Sequence, residues 1–281
     1  MQKKIIYGSI FSLAWALDIF FTKIILKSGI NALDLALQVL IISSIIITLI
    51  SYKKLKTVVK SKGKTFFSLL SIGLIVGVGY VTGNLALRLT SSINYSFLVK
   101  SSIFFTVFLA LIFLKEKLSK MKLLIMGTLV LGVFLLTTSG KLIIPKVGDL
   151  LTLLTSFLFS VALVIQKPIT KKIEPQLIGW ARITYAIIPV LIGSLILRIK
   201  VFETFHPLVI PIGIISSVIA IYINKTVKES SASFTVLYSM IVPLLVSILG
   251  ILFLKETINL IQAVGGLLII LSGYLIYKKD I

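Results

Sequence analysis

Cysteine is absent from the chain, and histidine occurs once, at His206. The first absence excludes disulfides and thiolate metal sites, and the second leaves no histidine cluster for zinc. Acid is nearly as scarce, with nine Asp and Glu against 29 Lys and Arg. No nucleophile stands beside a base, and no Gly-x-x-x-x-Gly-Lys-Ser/Thr sequence offers a cradle for ATP phosphates, so neither a metal nor a cofactor is expected. Long polar stretches are missing too. The longest connection, the lysine-rich segment 52–65, leaves no room for a soluble domain.

Apolar residues fill the space. The 281-residue chain is 58% hydrophobic and 14% charged, with a mean hydropathy of +1.13, whereas soluble domains average about 25% charged residues. Such a chain must use the bilayer as solvent. Windows of about 20 residues cross roughly 30 Å of hydrocarbon, and ten of them fit: 5–26, 33–51, 66–87, 93–114, 123–139, 148–165, 177–197, 208–223, 232–254 and 258–277. Lys3 and Lys4 ahead of an apolar run resemble a secretory signal. The run is too long and lacks a small-residue cleavage pattern, so it is read as the first helix.

A formal charge of +20 invites a nucleic-acid reading. Its distribution argues otherwise. With alternate loops assigned to alternate sides, nineteen Lys fall on the side of the amino terminus, seven Lys and Arg on the other, and three lie within spans. Positive charge in short loops stays cytoplasmic, so both termini are expected inside the cell membrane, with lipid rather than nucleic acid as the partner.

The fourth span ends "LALIFLKEKLS" (109–119) and the ninth "LGILFLKETIN" (249–259), an offset of 140 residues with Phe-Leu-Lys-Glu identical. Each is followed by a helix bearing glycines: Gly127 and Gly132, then Gly265, Gly266 and Gly273. Five spans per half is an odd number, so the second half enters from the opposite face. The expected organisation is an inverted repeat, 1–140 and 141–281.

The chain resembles the EamA-type members of the drug/metabolite transporter superfamily, over essentially its whole length. The likeness rests on Trp15 followed eight residues later by Lys23, the two Leu-Lys-Glu ends at Glu116 and Glu256, the glycines after them, and Pro243 in "YSMIVPLLV". It implies an all-α integral membrane protein of ten helices, in two inverted five-helix EamA repeats around a central cavity, moving small metabolites by alternating access. Departures exist: Ala16 where the family often has Gly, Ile103 at the first-repeat equivalent of Pro243, and Gln38 where an arginine is common. The seventh-helix counterpart of that arginine is present as Arg182. "NLALRLTSSINYSFLVKSS" (84–102) is also similar to the nucleotide-sugar and sugar-phosphate branch, which has a lysine at the position of Lys100.

Charges inside spans cost about 2.5 to 3.5 kcal/mol each at a helix centre, so depth decides what each is for. Lys23, three residues from its helix end, can snorkel to headgroups or anchor the structure, and is expected to be dispensable for transport. Asp18 lies about 12 Å deep and, five residues from Lys23, faces away from it. Lys100 lies about 10 Å deep in its own span. The two can face one cavity, as a substrate site or as a static ion pair, with Thr22, Gln38 and Asn84 in the same half. Asp18 is also the candidate for proton coupling, and Lys100 the expected substrate anchor.

Arg182 either snorkels or lines an inner vestibule. Tyr185, Tyr222, Asn224 and Tyr238 line that inner half or serve as interfacial anchors. Glu116 and Glu256 read as helix caps. Pro243 should kink the ninth helix, as a hinge or to fit the bundle. In-span cations outnumber the one in-span acid, so the expected substrate is a small anionic or zwitterionic metabolite carried by a secondary transporter. An intramembrane enzyme acting on lipid and a non-transporting receptor or scaffold are the alternatives.

Overall fold

A computed structural model describes residues 2–55, 63–114, 120–141, 145–229, 235 and 239–279. Within them the chain forms α-helices α1 (Gln2–Lys27), α2 (Ala32–Ser51), α3 (Lys64–Leu89), α4 (Ser92–Leu98), α5 (Ser102–Leu114) and α6 (Lys120–Thr138). The second half supplies α7 (Val147–Gln166), α8 (Pro175–Thr184), α9 (Ile187–Ile196), α10 (Val209–Glu229), α11 (Val242–Leu254) and α12 (Leu260–Lys279). No strand occurs among the described residues.

Among the described residues six helical stretches are long and apolar enough to cross a membrane: Ile5–Lys27, Ala32–Lys54, Thr65–Leu89, Val147–Gln166, Pro175–Ile196 and Val209–Glu229. Three shorter apolar helices accompany them, Leu124–Thr138, Val242–Leu254 and Leu260–Ser272. The chain is therefore a multi-pass membrane protein. Part of the expected ninth span, 232–234 and 236–238, lies outside the described residues, as do Glu116 and the segment around it.

Among the described residues three expected spans are interrupted, the ninth by a turn at Met240 and Ile241, and the breaks in the fourth and seventh each have a local cause or consequence. The fourth is split by a 3₁₀ turn, Val99–Ser101, where the α-helical ladder tightens and frees carbonyl oxygens. In hydrocarbon those oxygens need partners. Ser101 Oγ donates to Leu98 O at 2.7 Å. Ser156 and Ser160, one turn apart on α7, share their protons between their own helix (Thr152 O at 2.9 Å, Ser156 O at 2.7 Å) and the break, at Leu98 O (3.3 Å) and Ser102 O (2.8 Å). The seventh span is split between α8 and α9 at Tyr185 and Ala186. Pro189 has no N–H to give the carbonyl of Tyr185 four residues back, and that carbonyl accepts instead from Ile188 N at 3.3 Å.

Packing repeats itself with the halves exchanged. Helix α1 lies on α10, and α7 on α3; α2 lies on α10, and α8 on α3; α1 meets α11, and α7 meets α5. Helices α6 and α12, the glycine-bearing pair, pack on each other. A Cβ on Gly132 would stand 2.8 Å from Gly265 O, and one on Gly265 would stand 2.7 Å from Gly132 O. The two backbones approach too closely for any other residue, which is how membrane helices gain contact where lipid offers no hydrophobic drive.

Pro243 sits in the first turn of α11, with Ile241 as the N-cap. Thr235 and Ser239 ahead of it are helical and Met240 and Ile241 form a turn, so the ninth span breaks just before Pro243, which stands at a helix start where a missing N–H costs nothing.

Candidate functional site

A cavity of about 100 Å³ lies inside the bundle, with walls from α1, α3, α4, α5, α7, α8 and α10. Among the described residues its charged lining is one acid and one base, Asp18 from α1 and Arg182 from α8. Ser216 of α10 donates to Asp18 Oδ1 at 2.8 Å. Arg182 donates to Gln166 Oε1 at 3.4 Å, and its guanidinium carbon lies 5.7 Å from the Phe159 ring centroid. Neither makes an ion pair among the described residues. One hydrogen bond each leaves most of the carboxylate's lone pairs and the guanidinium's five donors uncommitted, and that spare capacity faces the cavity.

Lys100 stands behind this wall. It has no exposed surface and lies in the 3₁₀ turn Val99–Ser101, with Nζ 3.5 Å from the Trp15 ring centroid. The Nζ has no hydrogen-bond partner. Trp15 itself lines the cavity, so Lys100 meets the cavity through the face of an indole, the aromatic surface that best attracts a cation. Asp18 and Lys100 form no salt bridge, and the static pair weighed from depth alone is not formed.

Asn84 lines the cavity and donates to Ala32 O at 3.2 Å. Gln38 is buried away from it, donating to Asp34 Oδ1 at 3.0 Å and Thr204 O at 2.8 Å. Asp34 Oδ1 also accepts from Phe202 N at 2.8 Å, so this pair ties α2 to the connection between α9 and α10. Tyr185 sits at the α8–α9 break with its ring against Trp180 and Phe66. Tyr222 stacks edge-on with Tyr7, and Asn224 is buried with its Nδ2 on Ala220 O. Tyr238 lies outside the described residues.

Sequence reasoning missed Tyr80, Tyr95, Phe159 and Thr106, all of which line the cavity. Thr106 Oγ1 is buried there with no hydrogen-bond partner. Mid-span polar aromatics are the signal that could have found Tyr80 and Tyr95. A threonine in a helix carries none, because its hydroxyl ordinarily bonds to its own backbone.

Of the two roles its depth allowed, snorkelling and structural anchoring, Lys23 takes the second. It is buried, and Nζ donates to Leu87 O and Thr90 O, both at 2.6 Å. These are carbonyls at the end of α3, so the lysine acts as a C-terminal cap from a neighbouring helix. One turn later Lys27 donates to Leu254 O at 3.1 Å, at the end of α11. Glu256 caps in the other sense, accepting from Ser92 N, Ser92 Oγ and Ile93 N at 2.9, 2.7 and 3.1 Å. The helix it caps is α4, in the other half of the chain, rather than the one that follows it.

No curated protein matches this sequence. A solved crystal structure of a protein is similar over 96% of this chain and 96% of its own, at 14% identity and a TM-score of 0.63, a likeness that concerns the fold alone. The family comparison reaches further, because it follows the repeat through both halves: residues 2–138 and 146–278 each match the EamA-like transporter family. The chain belongs to that family, the EamA-type transporters of the drug/metabolite transporter superfamily.

Proposed function

We propose that the chain is a secondary active transporter of a small polar metabolite, zwitterionic or anionic, working by alternating access across the cell membrane with both termini cytoplasmic. Ten spans in two inverted halves, 1–140 and 141–281, serve this reading, and the exchanged helix pairings support it. The observation that carries the proposal is the cavity lining: one carboxylate and one guanidinium, Asp18 and Arg182, each with unused hydrogen-bonding capacity. Charges in a membrane interior are costly unless they are paired or complete a ligand site. A substrate with an ammonium and an acid group satisfies both at once. An anionic substrate meets Arg182, with Lys100 behind Trp15 adding positive potential. A cation meets one acid and two bases. Asp18 is the proton-coupling candidate, being the one ionisable acid in the lining.

The test is uptake into proteoliposomes from a mixed pool of amino acids and phosphorylated metabolites, with and without a pH gradient. Arg182→Gln and Asp18→Asn should each lower uptake at least about tenfold, the loss of roughly 1.4 kcal/mol of binding, and Asp18→Asn should also remove the effect of the gradient. Preferential uptake of organic cations, or unchanged uptake in Arg182→Gln, would overturn the substrate class.

A further inference from the structure

A second and wider basin, of about 1110 Å³, opens on the face of the bundle where α1 ends. Both halves of the chain build it, and Asn259 Nδ2 bonds Ser139 Oγ across the seam at 3.0 Å. Six cations line it, Lys23, Lys27, Arg88, Lys141, Lys146 and Lys255, against two acids, Asp149 and Glu256. The acids accept their hydrogen bonds from uncharged donors, Asp149 from the Thr90 hydroxyl at 3.0 Å and Glu256 from the start of α4, while Lys146 lies close enough to Asp149, and Lys23 to Glu256, to feel its charge without an ion pair. Lys23 and Lys27 are spent on helix-end carbonyls. Four cations remain, Arg88, Lys141, Lys146 and Lys255, all exposed and with no side-chain hydrogen bond or ion pair among the described residues.

Their placement is selective. By the loop assignment read from the sequence, this face holds the minority of the Lys and Arg, and five of its seven, Lys27, Arg88, Lys141, Lys146 and Lys255, line this one basin. Insertion favours loops poor in positive charge on that face. Like charges gathered around one water-filled depression repel one another, and an anion between them removes that cost.

We propose that this basin binds an oxyanion, a phosphate or phosphate ester, held by Arg88, Lys141, Lys146 and Lys255. The Arg88 fork suits bidentate contact with phosphate, and the three lysines add point charges around it. The phosphate is either a free solute or the headgroup of an anionic lipid. The site is separate from the central cavity, and its occupancy is read without any transport assay, so failure of the transport reading leaves it standing.

The test compares wild type with Arg88→Gln/Lys141→Gln/Lys255→Gln, and with a control that removes three exposed charges elsewhere, Lys167→Gln/Lys171→Gln/Lys172→Gln. In one arm, inorganic phosphate is titrated by calorimetry into protein held in an uncharged detergent. In the other, nanodiscs of phosphatidylcholine with a minority of phosphatidylglycerol are dissolved, and the phosphatidylglycerol retained is counted by native mass spectrometry. Wild type and control should bind alike, and the basin variant about tenfold more weakly in at least one arm, with strong salt dependence. A loss in the phosphate arm assigns a solute, and a loss in the lipid arm alone assigns a headgroup. No binding by wild type in either arm, or equal binding by all three proteins in both, overturns the site. None of the substituted side chains bonds to protein among the described residues, and equal melting temperatures check that all three fold.

Discussion

Lys23 and Lys100 are two buried lysines in one membrane protein, and they are treated in opposite ways. Lys23 donates to two carbonyls at 2.6 Å and closes the end of α3. Lys100, with no exposed surface, has no hydrogen-bond partner and rests on the Trp15 ring. The same division separates Glu256, which accepts three hydrogen bonds at the start of α4, from Asp18, which accepts one from Ser216. At the end of the bundle these two charges are taken up by the ends of neighbouring helices. At its centre charge is held in reserve. A fully bonded charge stabilises the fold it is bonded to, whereas an under-bonded one is costly until something binds it.

The largest break in that comparison should come from Lys23→Met. Two charge-assisted hydrogen bonds, each worth about 1.5 to 3 kcal/mol, are removed, and two carbonyls are left unsatisfied. Stability should fall by about 3 kcal/mol or more, measured as a lower melting temperature in detergent. An unchanged melting temperature would return Lys23 to the dispensable role suggested by its depth in the sequence.

Lys100→Met should act in the opposite direction. The cation–π contact is worth about 2 kcal/mol when desolvated, and burying the ammonium costs several kcal/mol. Methionine keeps most of the volume and removes the charge, so stability should hold or rise by about 1 kcal/mol. Uptake of an anionic substrate should fall at the same time. A variant that loses both stability and uptake would make Lys100 a structural residue like Lys23, and the contrast between centre and end would fail.

The smallest effect sharpens the comparison at Pro243. As a first-turn residue of α11 it has no hydrogen bond to interrupt, so Pro243→Ala should shift stability by no more than about 1 kcal/mol, the usual range for proline effects acting through the unfolded chain. Uptake should stay near wild type. A loss of uptake at unchanged stability would restore the hinge.

Much of the fold was legible before any coordinates. Long apolar runs and the repeated Phe-Leu-Lys-Glu report on burial and on duplication, both of which are local properties of the chain. The glycines that follow each repeat were visible as well, although nothing in their placement said that Gly132 and Gly265 meet. The interrupted spans were harder to see. Pro189 marks the break in the seventh span four residues late, and the 3₁₀ turn at Val99–Ser101 carries no punctuation of its own. It is supported by Ser156 and Ser160, more than fifty residues away. Gln38 illustrates the same limit, since its depth matched Asp18 while its side chain is engaged by Asp34 and by Thr204 O in the connection after α9.

By itself the sequence determined the solvent of the folded state, the duplication of the chain, and which charges lie deep enough to need a reason. Those follow from composition and spacing, which each stretch carries independently of its neighbours. Only the tertiary structure decided what each deep charge meets. Lys23 meets carbonyls 64 and 67 residues away, and Glu256 meets two backbone amides and one hydroxyl 163 to 164 residues away; most of these partners are backbone atoms, and every residue has the same backbone. Whether a buried charge finds a carbonyl, an indole face or an open cavity depends on which helix ends the packing brings together, and helix packing is a property of the whole bundle.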